Sequence, residues 1–122
     1  MFRKLEDIDV WQRARKLAGQ VYRLGNKEPL SKDWGLRDQL RRSAVSIASN
    51  IAEGYERNSR MEFRRFLIIA KGSCGELRTQ LLILRDIETL PANELDSLIK
   101  ECSEISMMIG GLAASISRVK NK

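Results

Sequence analysis

Apolar residues recur along this chain at alternating steps of three and four, in four separate segments. That is the spacing of one face of a helix. Val10, Ala14, Leu17, Val21 and Leu24 predict a first helix from about Asp9 to Leu24, with Trp11, Ala18 and Tyr22 widening its stripe. Asp9 is the expected cap, with Gln12 three residues on as the reciprocal partner. Gly25 ends the pattern, and GNKEPLSKD, residues 25–33, is the longest loop. Leu36, Leu40, Ala44, Ile47, Ile51 and Tyr55 predict a second helix from about Trp34 to Tyr55, capped by Asp33 and broken around Gly54 and Asn58. Ser59 to Glu62 reads S-x-x-E, a capping box opening the third helix. Its stripe is Phe63, Phe66 or Leu67, Ala70, Cys74, Leu77, Leu81 and Leu84, interrupted by Thr89, Leu90 and Pro91. The fourth starts near Asn93 and carries Leu95, Leu98, Cys102, Ile105, Ile109, Leu112, Ile116 and Val119.

A mean spacing of 3.5 held over four segments calls for nearly aligned helices. Short links make sequence neighbours antiparallel. The expected fold is all-α: an antiparallel up-down-up-down four-helix bundle, one domain spanning residues 1–122.

SAVSIASNIAEGYER, residues 43–57, departs from a plain core helix in its small and polar residues. In a hairpin closed near Asn58, positions i and about 117 minus i lie level, so Ala44 faces Ser73 and Val45 faces Gly72. The third helix is small there too, with Gly72, Ser73, Cys74 and Gly75 in succession. Glycine inside a helix costs about 1 kcal/mol against alanine. Close backbone approach at a seam between the second and third helices, near Ala44 and Gly72, is the expected reason. Asn50 and Glu53 share a face with Arg57 at helical spacing. They read either as a solvated stripe with an exposed Glu53–Arg57 pair, or as a half-buried polar cluster bonding the neighbouring helix start or another subunit. Val45, Ala48 and Ala52 form a second apolar stripe, and Ile69 and Ile83 stand off the main stripe of the third helix. Such surplus on adjacent helices marks an interface.

Composition narrows the chemistry. The chain has 122 residues, enough to bury roughly two thirds of its unfolded surface, and it is 43% hydrophobic and 31% charged. It has no histidine, which removes His-based acid–base chemistry, Ser-His and Cys-His pairs and imidazole metal ligands. Cys74 and Cys102 fall on apolar helix positions and are expected to be buried, reduced and catalytically silent. Glu53 with Glu56, or Glu62 with Glu76, offers carboxylate pairs, but nothing supplies a nucleophile or phosphate loop beside them. Neither a signal-peptide core nor an 18-residue apolar run is present, so a cytoplasmic protein without membrane contact is expected. No enzyme, catalytic residue, metal or cofactor is expected.

The residues GLRDQLRRSAVSIASNIAEGYERNSRMEFRRFLIIAKGSCGELRTQLLI, 35–83, resemble the signature block of the bacterial four-helix-bundle proteins encoded in intervening sequences of 23S ribosomal RNA. EDIDVWQRARKLAGQVYRL, 6–24, is similar to that family's opening. The carrying motifs are SxxxNIAEG, which holds Asn50, Glu53 and Gly54, and IAxGSxxEL, which holds Gly72 and Ser73. Ala48 and Ser49 stand where the family often has Pro and Ala, so the second helix is expected without a proline kink. The resemblance implies a closed homopentamer. It also implies a likeness in architecture to accessory proteins of diversity-generating retroelements, and so RNA or other nucleic acid, and a reverse transcriptase, as partners.

The net charge is +6, from 22 Lys and Arg against 16 Asp and Glu. A basic excess favours anionic partners without naming them. Arg57, Arg60, Arg64 and Arg65 span the corner between the second and third helices, and Arg118 and Lys120 join them from the chain end. On helical spacing they are expected to meet one phosphate track, opposed by Glu53, Glu56 and Glu62. Arg37, Arg41 and Arg42 cluster at the other end. With no base-reading motif, binding is expected to be backbone-driven. The leading expectation is a non-enzymatic homo-oligomeric accessory protein that binds RNA or associates with the ribosome. The alternative is a structural or protein-interaction scaffold.

Overall fold

A computed structural model describes residues 2–118. Four antiparallel helices, α1 (Asp9–Leu24), α2 (Trp34–Glu56), α3 (Arg60–Ile87) and α4 (Ala92–Arg118), form the up-down-up-down bundle. Each packs on its sequence neighbours, and α1 closes the ring against α4. The heptad stripes meet in one core, with Leu17, Ile47, Ile51, Leu67, Leu77, Leu81, Leu95, Ile105 and Ile109 at 1% exposure or less. α2 runs unbroken from Trp34 to Glu56.

The caps follow the expected chemistry at two of three helix starts. Asp33 accepts from the Leu36 N–H at 3.2 Å, and Ser59 from the Glu62 N–H at 3.3 Å. Asp9 does not cap α1. It is already the first helical residue, behind Ile8, which makes no side-chain cap bond. Gln12 instead donates to the Glu6 carbonyl at 3.2 Å. The cause is a short 3-10 turn, Leu5–Asp7, whose chain path sends Ile8 into the core at 1% exposure. A second such turn, Leu30–Lys32, buries Leu30 from within the long loop. α3 stops at Glu88, which adopts a left-handed backbone (φ 61°).

The α2/α3 seam differs from expectation. A Cβ built on Gly72 meets nothing within 4 Å, and Gly72 is exposed. The close approach is at Gly54, where a Cβ would stand 2.6 Å from Phe66 Cβ and 3.3 Å from Phe63 Cα. Gly54 continues the stripe Ile47, Ile51 at the helical step, whereas Gly72 lies off the stripe of α3. The register is also displaced by two residues: Ser46, not Ala44, meets Ser73, and Gln39 meets Gln80. Ala44 is fully buried all the same.

Candidate nucleic-acid interface

The corner between α2 and α3 is built on that glycine. Gly54 lets the start of α3 cross close to α2, and Asn58 turns the chain in the left-handed region (φ 54°). The Tyr55 and Phe63 rings then meet edge to face at 6.0 Å, and the Tyr55 hydroxyl donates to the Phe2 carbonyl at 3.2 Å. An open pocket of ≈ 280 Å³ lies there, lined by Phe2, Tyr55, Asn58, Ser59, Arg60, Phe63 and Ile116.

The four corner arginines do not form one track. Arg57 binds Glu53 at 2.9 Å and Glu62 at 3.3 Å. Arg65 binds Glu62 with Nε at 3.0 Å and Nη2 at 3.3 Å. Both guanidinium groups also lie over the Phe66 ring, at 5.0 and 4.5 Å. The Arg65 hydrogen bond holds the Glu62 carboxyl below the usual carboxylate range. Two glutamates therefore offset two arginines, and this patch carries no net charge. Arg64 points elsewhere: neighbours on a helix diverge by about 100°, and its Nε donates to Ser117 on α4. Arg60 lines the pocket. Arg118 closes α4, with its side chain outside the described structure, and Lys120 lies outside the described residues.

The motif residues of α2 divide between the two readings the sequence left open. Asn50 is half-buried, its Nδ2 donating to the Ser46 carbonyl at 2.8 Å and to Ser46 Oγ at 2.9 Å. Ser46 Oγ lies 2.9 Å from Ser73 Oγ, and Ser73 is buried. Asn50 thus belongs to a polar network tying α2 to α3, while Glu53 is exposed and pairs with Arg57. Cys74 and Cys102 are free and 1% exposed. Burial pushes their thiols up, to about 11 and about 12.

At the opposite end Arg37 and Arg41 serve the fold, while Arg42 is exposed. Arg41 donates to the Tyr22 carbonyl at 2.9 Å and stacks on the Tyr22 ring at 4.6 Å. Arg37 donates to the Ser31 carbonyl and pairs with Asp38. The second apolar stripes prove to occupy separate shoulders. Val45, Ala48 and Ala52 follow Arg41 at steps of four, three and four, on the side of α2 turned toward α1. Ile69 lies four residues before Ser73 and Ile83 three after Gln80, on the side of α3 turned toward α2.

Two groups were missed in the sequence. Arg13 reaches across from α1 to bind Glu101 (2.5 Å) and Glu104 (2.7 Å) on α4. Lys71 and Arg78 continue the line of Arg64 along α3. The signal for this line was present, since each cation directly follows a core residue, Phe63, Ala70 or Leu77.

Comparison with solved structures returns a crystal structure of a protein of unknown function from the S23 ribosomal protein family of Bacteroides thetaiotaomicron VPI-5482. It is 25% identical, with a TM-score of 0.77, covering 85% of this chain and 97% of that one. Comparison with curated proteins finds no match. A family model described as 23S rRNA-intervening sequence protein matches residues 6–111, and the chain belongs to that family.

Proposed function

We propose that this chain is a non-enzymatic, homo-oligomeric accessory protein that associates with nucleic acid through its basic surface. One observation carries the reading: several exposed cations have no carboxylate partner among the described residues. Arg3, Lys4, Lys16, Arg42, Lys71 and Arg78 are exposed, and among the described residues no carboxylate stands within 4 Å of their charged nitrogens. Attraction to a polyanion needs no reading of bases. The family description, linked to ribosomal RNA, is in keeping with it. Assembly, with five chains as the expected number, is supported by apolar side chains left exposed on two helix shoulders, Val45 at 41% and Ile83 at 47%. The resemblance to retroelement accessory proteins suggested by the sequence would add a reverse transcriptase as a candidate protein partner.

The scaffold reading has its own support in the self-neutralised corner, where Glu53 and Glu62 hold Arg57 and Arg65. One experiment separates the two. The protein is purified at low salt, its mass is measured by light scattering, and co-purifying nucleic acid is read from the 260/280 nm ratio before and after nuclease. Nuclease-sensitive absorbance on an oligomer supports the proposal. An oligomer free of nucleic acid that also fails to bind added RNA at 50 mM salt leaves the scaffold, and a monomer removes the assembly.

A further inference from the structure

Arg64, Lys71, Arg78 and Arg85 are spaced by seven residues along α3, each one position after a core residue. Each crosses to a residue of α4 that is also spaced by seven. Arg64 Nε donates to Ser117 Oγ, and Lys71 Cε lies 3.1 Å from where a Gly110 Cβ would stand. Arg78 Nε donates to Ser103 Oγ at 3.0 Å, and Arg85 binds Asp96 at 2.5 Å. Every pair sums to 181, the register of an antiparallel helix pair. The rungs stand about 10.5 Å apart, so the ladder spans about 32 Å of the bundle. Asp96 is the one acid among the four α4 partners. Arg64, Lys71 and Arg78 are all exposed, and each faces a serine or a glycine.

The same shoulder of α3 runs Arg64, Ile68, Lys71, Gly75, Arg78, Leu82, Arg85 at steps of four and three. Gly75 sits between the two middle cations, exposed, and a Cβ there meets nothing within 4 Å. Packing within the fold therefore does not account for this glycine, although glycine disfavours a helix interior. A residue without Cβ lets another molecule approach the helix closely.

We infer that this α3/α4 ladder, and not the α2/α3 corner, is where the phosphodiester backbone of a nucleic acid lies. The inference rests on the nucleic-acid reading above and locates its site. Charge complementarity selects the occupant: three cations without carboxylate partners among the described residues lie in a straight line, with serine hydroxyls beside Arg64 and Arg78. A duplex strand winds once round its axis in about 34 Å, so a straight ladder of about 32 Å meets duplex backbones where they cross it, and follows one strand along its length where the nucleic acid is extended. An acidic protein helix is the other polyanion of suitable length. Helix docking relies on apolar anchors at successive turns, and this face offers Ile68 and Met107 as its exposed large apolar groups, with Gly75, Ser103 and Gly110 between.

The test is fluorescence anisotropy of 20-nucleotide single-stranded RNA, single-stranded DNA and duplex DNA, at 50 and 200 mM KCl. The proteins are wild type, a ladder variant (Arg64→Gln, Lys71→Gln, Arg78→Gln) and a corner variant (Arg57→Gln, Arg65→Gln). Gly75→Glu sets a carboxylate between Lys71 and Arg78 in open space, where it does not strain the fold. Three phosphate contacts on duplex make binding fall roughly 40-fold between the two salts. We expect the ladder variant to lose at least tenfold at 50 mM, with a salt slope shallower by about 2–3. Gly75→Glu should weaken binding similarly, and the corner variant should stay within threefold. Preference among the three probes identifies the source of the backbone, and binding of any one supports the site. No binding by wild type removes both the ladder and the nucleic-acid reading. Binding that survives the ladder variant and Gly75→Glu, or that falls with the corner variant instead, overturns the ladder alone. A poly-glutamate peptide that outcompetes all three probes overturns it in favour of a protein partner.

Discussion

Alanine at Gly54 and alanine at Gly72 are the same chemical change in neighbouring helices, and the structure assigns them opposite signs. In an unconstrained helix interior, Gly→Ala stabilises by about 1 kcal/mol. At Gly72 the new methyl meets no atom within 4 Å, so that gain should appear, at about 0.5–1 kcal/mol. At Gly54 the methyl would stand 2.6 Å from Phe66 Cβ, against a relaxed carbon contact of about 3.5–4 Å. Phe66 Cβ sits one bond from the backbone and cannot rotate away. Relief requires α3 to move at its first turns, which are fixed by the Ser59 cap and by Phe63 against Tyr55. Overpacking of this kind costs about 1–3 kcal/mol. Because the overlap reaches about 1 Å against a near-backbone atom, the upper part of that range applies. Subtracting the propensity gain leaves Gly54→Ala less stable by about 1–2 kcal/mol, a fall of roughly 4–8 °C in Tm for a chain this long. Thermal and urea melts followed at 222 nm, at one fixed protein concentration, measure both. Gly54→Ala as stable as wild type, or equal signs for the two variants, would refute the placement of the seam.

Three further outcomes follow from the same geometry. In a double-mutant cycle of Ser46→Ala and Ser73→Ala, urea melts should give a coupling on the order of 1 kcal/mol, since each hydroxyl is the other's partner. Glu88→Gly should stabilise by about 1 kcal/mol, because a left-handed residue with a Cβ is costly and glycine is the favoured helix terminator. For the thiols the sign is set by their raised values of about 11 and about 12. Their burial as neutral groups contributes fully below the unfolded value of about 8.5 and is lost as pH rises toward the folded ones. Wild-type stability should therefore fall more steeply above about pH 9 than that of a Cys74→Ala, Cys102→Ala variant, as read by urea melts across pH.

Most of the fold was legible because a 3.5-residue period is a property of the sequence itself. The stripes name the inward faces, and Leu17, Ile51, Leu77 and Ile105 are all fully buried. Ile8 and Leu30 have no such period. Their burial depends on single 3-10 turns, whose direction is set by the helices they connect. The glycines were misread although the spacing distinguished them: Gly54 is three residues after Ile51, on the stripe, while Gly72 and Gly75 fall between Ala70, Cys74 and Leu77. Pairing along a helix was equally legible, since Glu53–Arg57 and Glu62–Arg65 are i+4 and i+3 pairs. The bond from Arg57 to Glu62 crosses the corner and depends on the angle at which α3 leaves α2, which no local spacing contains.

What distinguishes the ladder from the corner is the set of acids available to each cation, and α4 decides this by having two unlike shoulders. Toward α1 it presents Glu94, Glu101 and Glu104, which bind Lys27 and Arg13. Toward α3 it presents Asp96, Ser103, Gly110 and Ser117. If a neutral partner is what leaves a rung available, then supplying an acid should close it without removing any cation. Ser103→Glu tests this. Its carboxylate can meet Arg78 as Asp96 meets Arg85. An exposed pair adds only about 0–1 kcal/mol to stability, so the melt should barely move. Binding of duplex DNA at 50 mM KCl should nevertheless weaken, with a salt slope shallower by about 1 for the one contact removed. Ser103→Ala, which deletes the hydroxyl and adds no charge, should keep the wild-type slope. Equal weakening in both variants would mean that the hydroxyl, and not the missing acid, had governed the rung.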